Sequence, residues 1–124
     1  MLMAILLHGT SRRRAERIEA DGPDPAQCGP EGFSTYLESG PFHFGSPEEY
    51  ACRHAANALS ESGDDEGGPA ILAVDVPDDI IALAVDEYFP LSQGLVQFDQ
   101  GGGLDELRAA WPGLWKEIRS VQQP

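Results

Sequence analysis

Hydrophobic residues at the start of the chain follow two different periods, which indicate a strand and then a helix. Residues 2 to 7 form an unbroken apolar run, typical of a central strand, and His8-Gly9-Thr10 is expected to end it. From Ser11 to Ala20 two apolar residues lie three positions apart among arginines and glutamates, which predicts a short amphipathic helix. The Asp-Gly-Pro that follows is a helix stop.

The middle of the chain alternates loop signals with short apolar segments. A stretch rich in glycine and proline ends near Gly32, and residues 33 to 37 (FSTYL) are predicted to form a short strand. Residues 42 to 44 indicate another short strand, with two phenylalanines on one face. Residues 46 to 49 (SPEE) combine a serine cap, a proline at the first helical position and acids in the first turn, so they predict a helix over residues 47 to 59.

The next apolar run, residues 70 to 76, predicts a second buried strand, followed by a turn at residues 77 to 79. Residues 79 to 89 suit a strand or a short helix, and the pattern leaves that choice open. Residues 94 to 99 alternate apolar and polar side chains, which is typical of a half-buried strand.

The C-terminal segment has helical spacing. Large apolar residues recur three and four positions apart from residue 104 to residue 118, and Pro112 interrupts them, so we predict a helix broken in two. Its tryptophans, Trp111 and Trp115, are expected to dock it against the core. The glycines at residues 101 to 103 predict a flexible hinge before it.

This order of elements favours an α+β fold in a single small domain over residues 1 to 124. Short strands and helices follow each other without the regular alternation of a doubly wound sheet. A chain of 124 residues is long enough for one hydrophobic core and marginal for two.

The charge balance disfavours nucleic acid as a partner. The chain has 21 acidic and 8 basic residues, a formal net charge of −13, and such a surface repels a phosphate backbone. Four of its arginines nevertheless fall between residues 12 and 17. Arg12, Arg13 and Arg14 would occupy the first turn of the first predicted helix, where the positive end of the helix disfavours cations, so the segment is a candidate anion site.

Cysteine usage and the N-terminus indicate a cytoplasmic protein. Cys28 and Cys52 form neither a CxxC pair nor a secretory framework, so free thiols in a reducing compartment are expected. The apolar N-terminal run is too short to span a bilayer and lacks a basic leader, and we therefore expect no membrane partner.

The residues that suggest chemistry are His8, Gly9 and Thr10. An imidazole can donate to a ribose hydroxyl, a glycine exposes its backbone amide to a planar carboxamide, and a threonine adds a hydroxyl. Neither GxGxxG nor a P-loop is present. No metal is expected, because a set such as His8, His43 and Asp75 or Glu87 lacks the spacing of a metal motif.

Several motifs occur in an order that resembles a known superfamily. LLHGTSRRRAERIEADG is followed by a Gly-Phe pair, by GPFHFGSPEEYACRHA and by PAILAVDVP. This series, over about the first 76 residues, resembles the ADP-ribosyltransferase superfamily of the diphtheria-toxin and poly(ADP-ribose) polymerase type.

The resemblance implies an α+β domain with a split mixed or antiparallel sheet, flanking helices, and NAD as the substrate. ADP-ribose would be transferred to an acceptor that the sequence does not identify: a protein, a small molecule or a nucleic acid. His8 would contact the ribose on the nicotinamide side and Gly9 the carboxamide. Arg12, Arg13 or Arg14 would face the pyrophosphate, where a guanidinium and a helix N-terminus both favour an anion.

The chain departs from the family at the position of the tyrosine that stacks on the nicotinamide ring. His43 stands there, followed by Phe44. An imidazole stacks over a smaller area than a phenol and can carry a charge. Phe42 or Tyr36 is the alternative source of a ring face.

The second departure is at the family's glutamate, which stabilises a cationic ribosyl transition state. Gln93 lies near the expected place and brings no charge. Glu87 or Asp86, just upstream, would serve in another register. The catalytic candidates from the sequence are therefore His8, His43, Gln93 and Glu87.

Three alternatives remain open at the sequence level. The chain could be a catalytically inactive relative that binds NAD or another protein. An RNA 2′-phosphotransferase is a minor alternative, suggested by HFGS at residues 43 to 46. The acidic composition also suits a protein that occupies the nucleic-acid groove of a basic partner.

Overall fold

The computed structural model describes residues 3–26, 32–38, 67–84, 95–99 and 103–120. In these ranges the chain forms β1 (Met3–Ser11), α1 (Arg12–Asp21), β2 (Phe33–Leu37), β3 (Pro69–Pro77), α2 (Asp78–Ala82), β4 (Leu95–Phe98), α3 (Gly103–Ala110), a 3-10 turn (Trp111–Gly113) and β5 (Lys116–Ser120).

The five described strands form one antiparallel sheet in the order β4-β2-β1-β3-β5. β1 and β3 pair along their full length, from Met3–Pro77 to Ser11–Pro69. β1 and β2 pair over a much shorter stretch, at Leu6–Leu37 and Leu7–Tyr36. Together with the helices this sheet confirms the α+β class.

One face of the sheet carries the main hydrophobic core, because alternate residues of each strand point toward α1, α2 and α3. The buried members of this core are Leu6, Ala15, Phe33, Ala70, Leu72, Val74, Val76, Ile81, Ala84, Val96, Phe98, Leu104, Leu107 and Trp111. The intervening residues form a smaller buried cluster on the other face, with Leu7, Ile71 and Ala73 at its centre.

The helix α1 confirms the sequence prediction at both ends. The side chain of Ser11 accepts a hydrogen bond from the backbone N–H of Arg14 at 3.2 Å, as an N-cap does. At the other end Gly22 has a φ of 85° and donates its N–H to the carbonyl of Ile18 at 2.7 Å. The predicted stop therefore works through a glycine in a left-handed conformation.

Gly32 fixes the start of β2 against β4. Its φ is +81°, and a Cβ built there would lie 2.2 Å from the carbonyl oxygen of Phe98. A side chain would therefore collide with the backbone of the neighbouring strand. This close approach sets the Phe33–Phe98 pair, which begins the β2–β4 register.

The predicted strands at residues 33–37, 70–76 and 94–99 are confirmed as β2, β3 and β4. The predicted strand at residues 42–44 and the predicted helix at residues 47–59 lie outside the described residues.

Two predictions near the strand ends were wrong. His8-Gly9-Thr10 does not end β1, because the strand stays paired with β3 as far as Ser11. Residues 77 to 79 are not a simple turn, because Asp78 and Asp79 begin α2. Two acids in a first turn complement the positive end of a helix. The start of residues 79 to 89, which the sequence pattern left open between strand and helix, is accordingly helical.

The C-terminal prediction was half right. Its first part is the helix α3, but the chain after Pro112 becomes β5, which pairs with β3 from Val74–Lys116 to Ala70–Ser120. Gly103 is the buried first residue of α3, whereas we predicted it in a flexible hinge. Trp111 is 2% exposed in the core, but Trp115 is 48% exposed, so only one tryptophan docks the segment.

Candidate functional site

His8 lies at the point where β1 and β2 stop pairing. Its Nδ1 is 2.8 Å from the carbonyl oxygen of Ser34, and its ring stacks on Phe33 with centroids 4.2 Å apart and planes at 31°. A carbonyl oxygen only accepts, so Nδ1 carries the proton in this bond. In the neutral imidazole Nε2 is then the acceptor atom.

The backbone N–H and C=O of Gly9 point toward the edge of β1 that borders β2, where His8 contacts Ser34. The carbonyl of Ile5 accepts a hydrogen bond from the N–H of Glu38 at 2.9 Å, so the odd-numbered residues of β1 direct their main-chain groups toward β2. Gly9 continues this alternation beyond Leu7–Tyr36, the last pair of the two strands. We call the place bounded by His8, Gly9 and Ser34 the β1–β2 gap.

Gly9 and Thr10 are both buried, whereas the sequence pattern predicted that Gly9 exposes its backbone amide to a ligand. Thr10 lies within β1 opposite Ala70 and is 4% exposed. The side chains of Thr10 and His8 point to the helix-facing face of the sheet. Gly9 belongs to the opposite face, because successive residues of a strand alternate between the two faces. The three residues of the motif are therefore not presented together on one surface.

The arginines begin α1, as predicted, but Arg12 points toward the far edge of the sheet. Its Nη1 donates to the Oγ of Ser120 at 3.2 Å, and its Nε lies 3.6 Å from a carboxylate oxygen of Glu16. Its backbone N–H bonds the carbonyl of Gly68 at 2.9 Å. Arg13 is exposed on the first turn.

These arginines and His8 occupy different parts of β1 and α1. Arg12 lies four positions after His8, which in a strand corresponds to about 13 Å along the chain. The structure therefore does not bring a guanidinium of Arg12 against the imidazole. A ligand that contacts both would have to extend along the end of β1.

Ser34 and Gln97 belong to the β1–β2 gap, and sequence reasoning missed both. The Nε2 of Gln97 donates to the Oγ of Ser34 at 3.2 Å, while the carbonyl of Ser34 accepts from His8. Ser34 thus links β1, β2 and β4. Both residues are polar positions of alternating strands, but only the observed Ser34–Gln97 register makes them neighbours.

Half of the predicted site lies outside the described residues. This applies to the ring candidates and to the candidates for the glutamate position: Phe42, His43, Phe44, Glu87 and Gln93. Their convergence on His8 stays a prediction.

A second polar cluster lies on the opposite face of the sheet from the main core. Arg119 donates from Nη1 to Glu38 at 2.9 Å and from Nε to Glu117 at 2.8 Å. The hydrogen bond to Glu117 is the largest cause that raises the pKa of the Arg119 guanidinium, with partial burial opposing it. All three side chains are partly exposed, so the cluster adds little to stability.

Within the described ranges no group of three or more histidine, cysteine or acidic side chains is placed to hold a metal ion. The helices in those ranges include none long and apolar enough to cross a membrane.

Comparison of the chain with protein-family models, with curated proteins and with solved structures finds no match.

Proposed function

We propose that the protein is an NAD-binding domain of the ADP-ribosyltransferase type, with the β1–β2 gap as the nicotinamide end of its site. The observation that supports this is the fixed imidazole of His8, oriented by the Ser34 carbonyl and the Phe33 ring beside the backbone of Gly9. The loss of β1–β2 pairing at this point suits the split sheet that the sequence resemblance implies.

His8 and Gly9 would have complementary roles in this proposal. In the Nδ1–H tautomer, Nε2 of His8 accepts a hydrogen bond from a hydroxyl of the nicotinamide ribose. The N–H and C=O of Gly9, a buried residue, would pair with the carboxamide of nicotinamide, which presents an N–H donor and a carbonyl acceptor in one plane. Both contacts orient NAD without supplying charge.

The reaction would be transfer of ADP-ribose to an acceptor. The bond between the nicotinamide nitrogen and the ribose C1′ breaks, and nicotinamide leaves with the electron pair. An acceptor nucleophile then donates an electron pair to C1′ and releases its proton to water. Gln93 or Glu87 would face the cationic ribose, and Arg12 or Arg13 would meet the pyrophosphate at the start of α1.

A binding-only function is the second candidate. It is favoured by one observation, the amide of Gln93 in place of a carboxylate, since an amide cannot neutralise a cationic ribose. Such a protein would hold NAD and release no nicotinamide.

Calorimetry with NAD and a nicotinamide-release assay separate these cases. His8→Asn is the informative variant, because its amide can still donate to the Ser34 carbonyl while the Nε2 acceptor is lost. We expect wild-type protein to bind NAD and the variant to lose at least tenfold in affinity. Trp115→Ala, at an exposed position outside the gap, is the matched control and should bind as wild type does.

The outcomes differ for each part of the proposal. Failure of wild-type protein to bind NAD at millimolar concentration rejects the site. Unchanged binding by both His8→Asn and His8→Ala rejects the role of His8. Binding without nicotinamide release, in the presence of a cell lysate as acceptor source, leaves the binding-only function.

A further inference from the structure

The strand β5 lies at one edge of the sheet and pairs with β3 on its inner side. No other strand in the described part of the chain pairs with its outer side. An edge strand presents a row of N–H and C=O groups that can accept another strand.

The register shows which residues of β5 direct their backbone outward. The N–H of Asp75 on β3 bonds the carbonyl of Trp115 at 3.0 Å, so Trp115 directs this group inward. By the alternation of an antiparallel ladder Glu117 and Arg119 also face β3. The outward residues are therefore Lys116, Ile118 and Ser120.

The charged side chains of this edge are held within their own copy. Charges, and lysine in particular, commonly protect an edge strand from pairing. The Nζ of Lys116, however, donates to the carbonyl of Trp111 at 2.6 Å and lies 5.2 Å from the centroid of its ring. Arg119 reaches back across the sheet to Glu38. Both cations are therefore engaged with groups of their own chain.

The sequence of β5, KEIRS, is complementary to itself when two copies run antiparallel about Ile118. Ile118 then faces Ile118 and Lys116 faces Ser120, and each of these outward pairs can exchange two backbone hydrogen bonds. Glu117 faces Arg119 of the other copy at a non-hydrogen-bonded position, where opposed side chains come closest. Each Glu117, which already bonds Arg119 of its own copy, then also lies beside Arg119 of the other copy, so opposite charges face each other at both positions.

We propose that β5 pairs with β5 of a second copy, joining the two sheets into one. The inference is independent of the proposed NAD site. A short edge buries less area than a standard interface, so we expect the association to be weak and to require a high protein concentration.

Analytical ultracentrifugation at about 0.15 M NaCl is the first test. Wild-type protein should approach twice its monomer mass of 13.4 kDa as its concentration rises. Glu117→Arg places two cations on the edge and Arg119→Glu places two anions, so each variant alone should weaken association at least tenfold. An equimolar mixture of the two variants should restore it, because each cation then faces an anion.

Ile118→Pro is a second variant that acts on the backbone. The N–H of Ile118 points outward, so proline removes an intermolecular bond and no bond to β3. Circular dichroism checks that each variant folds. A wild-type monomer at 1 mM overturns the proposal, and so does a dimer that persists unchanged in Ile118→Pro. A mixture of folded charge variants that fails to associate overturns the antiparallel register.

Discussion

The two tryptophans show that the burial of a side chain depends on the surface against which it packs. Both occur at helical spacing in the sequence, and both were expected to dock the C-terminal segment. Trp111 fills the core, donates from Nε1 to the carbonyl of Glu19 at 3.1 Å, and supports Lys116 over its ring. Trp115 follows the 3-10 turn, where the chain leaves the helical path, and faces solvent.

We predict that truncation of these tryptophans has unequal effects on stability. Trp111→Ala should lower the free energy of unfolding by about 3–5 kcal/mol, because it leaves a cavity and an unpaired carbonyl. Trp115→Ala, the matched control, should change it by about 0.5 kcal/mol or less. Urea unfolding followed by circular dichroism at low protein concentration measures both. Equal losses would contradict the burial described above.

The sequence predicts the bounds of helix α1 well, and it also predicts the unfavourable charges in the first turn of this helix. The helix has three arginines and no acid in its first turn, so cations crowd the positive end of the helix dipole. The Ser11 cap and the bond from Arg12 to the Gly68 carbonyl hold this end in place. The helix α3 has the favourable arrangement, with Asp105 and Glu106 first and Arg108 last.

Charge reversal at opposite helix ends should therefore have opposite effects. Arg13→Glu should raise the free energy of unfolding by about 0.3–1 kcal/mol, and Arg108→Glu should lower it by a similar amount. Both positions are exposed and both substitutions change the net charge equally, so their difference isolates the helix dipole. Thermal unfolding in low salt is the measurement. If both variants change the stability in the same direction, the effect comes from overall charge and not from position in the helix.

Arg13→Glu also tests the NAD proposal at the same element. If the arginines meet a pyrophosphate, the variant should bind NAD several-fold more weakly while it is at least as stable as wild type. Arg108→Glu should bind NAD normally.

At the scale of the whole molecule, the net charge of −13 opposes compactness. The chain has few cations to offset its acidic residues, and Arg119 forms ion pairs with both Glu38 and Glu117. Each pair is partly exposed and contributes little on its own. General repulsion among carboxylates should therefore outweigh the favourable pairs.

We predict that salt stabilises the protein at neutral pH. Raising NaCl from about 0.02 M to about 0.5 M shortens the Debye length several-fold and screens the repulsion, so Tm should rise. Near the sequence pI of about 4.3 the net charge vanishes and the increase should shrink. A Tm that falls with salt at pH 7 would mean that ion pairs outweigh repulsion.

Local patterns determined several elements of this protein correctly. The apolar runs of β1 and β3, the alternation of β4 and the cap and stop of α1 depend on residues close together in the chain. Their positions followed from period and capping alone. The α+β class followed from their order.

Tertiary pairing decided what local patterns left open or misplaced. Residues 116 to 120 continue a segment whose apolar residues have helical spacing. They nevertheless form β5, because the backbone groups along one edge of β3 pair with them. His8 was expected at a strand end, but it lies inside β1, and its partners Phe33 and Ser34 are set by where β2 diverges. The sequence by itself determined which segments prefer a strand or a helix, because those preferences are local. Which residues face each other across the sheet was decided only in the folded chain, because register depends on contacts between distant segments.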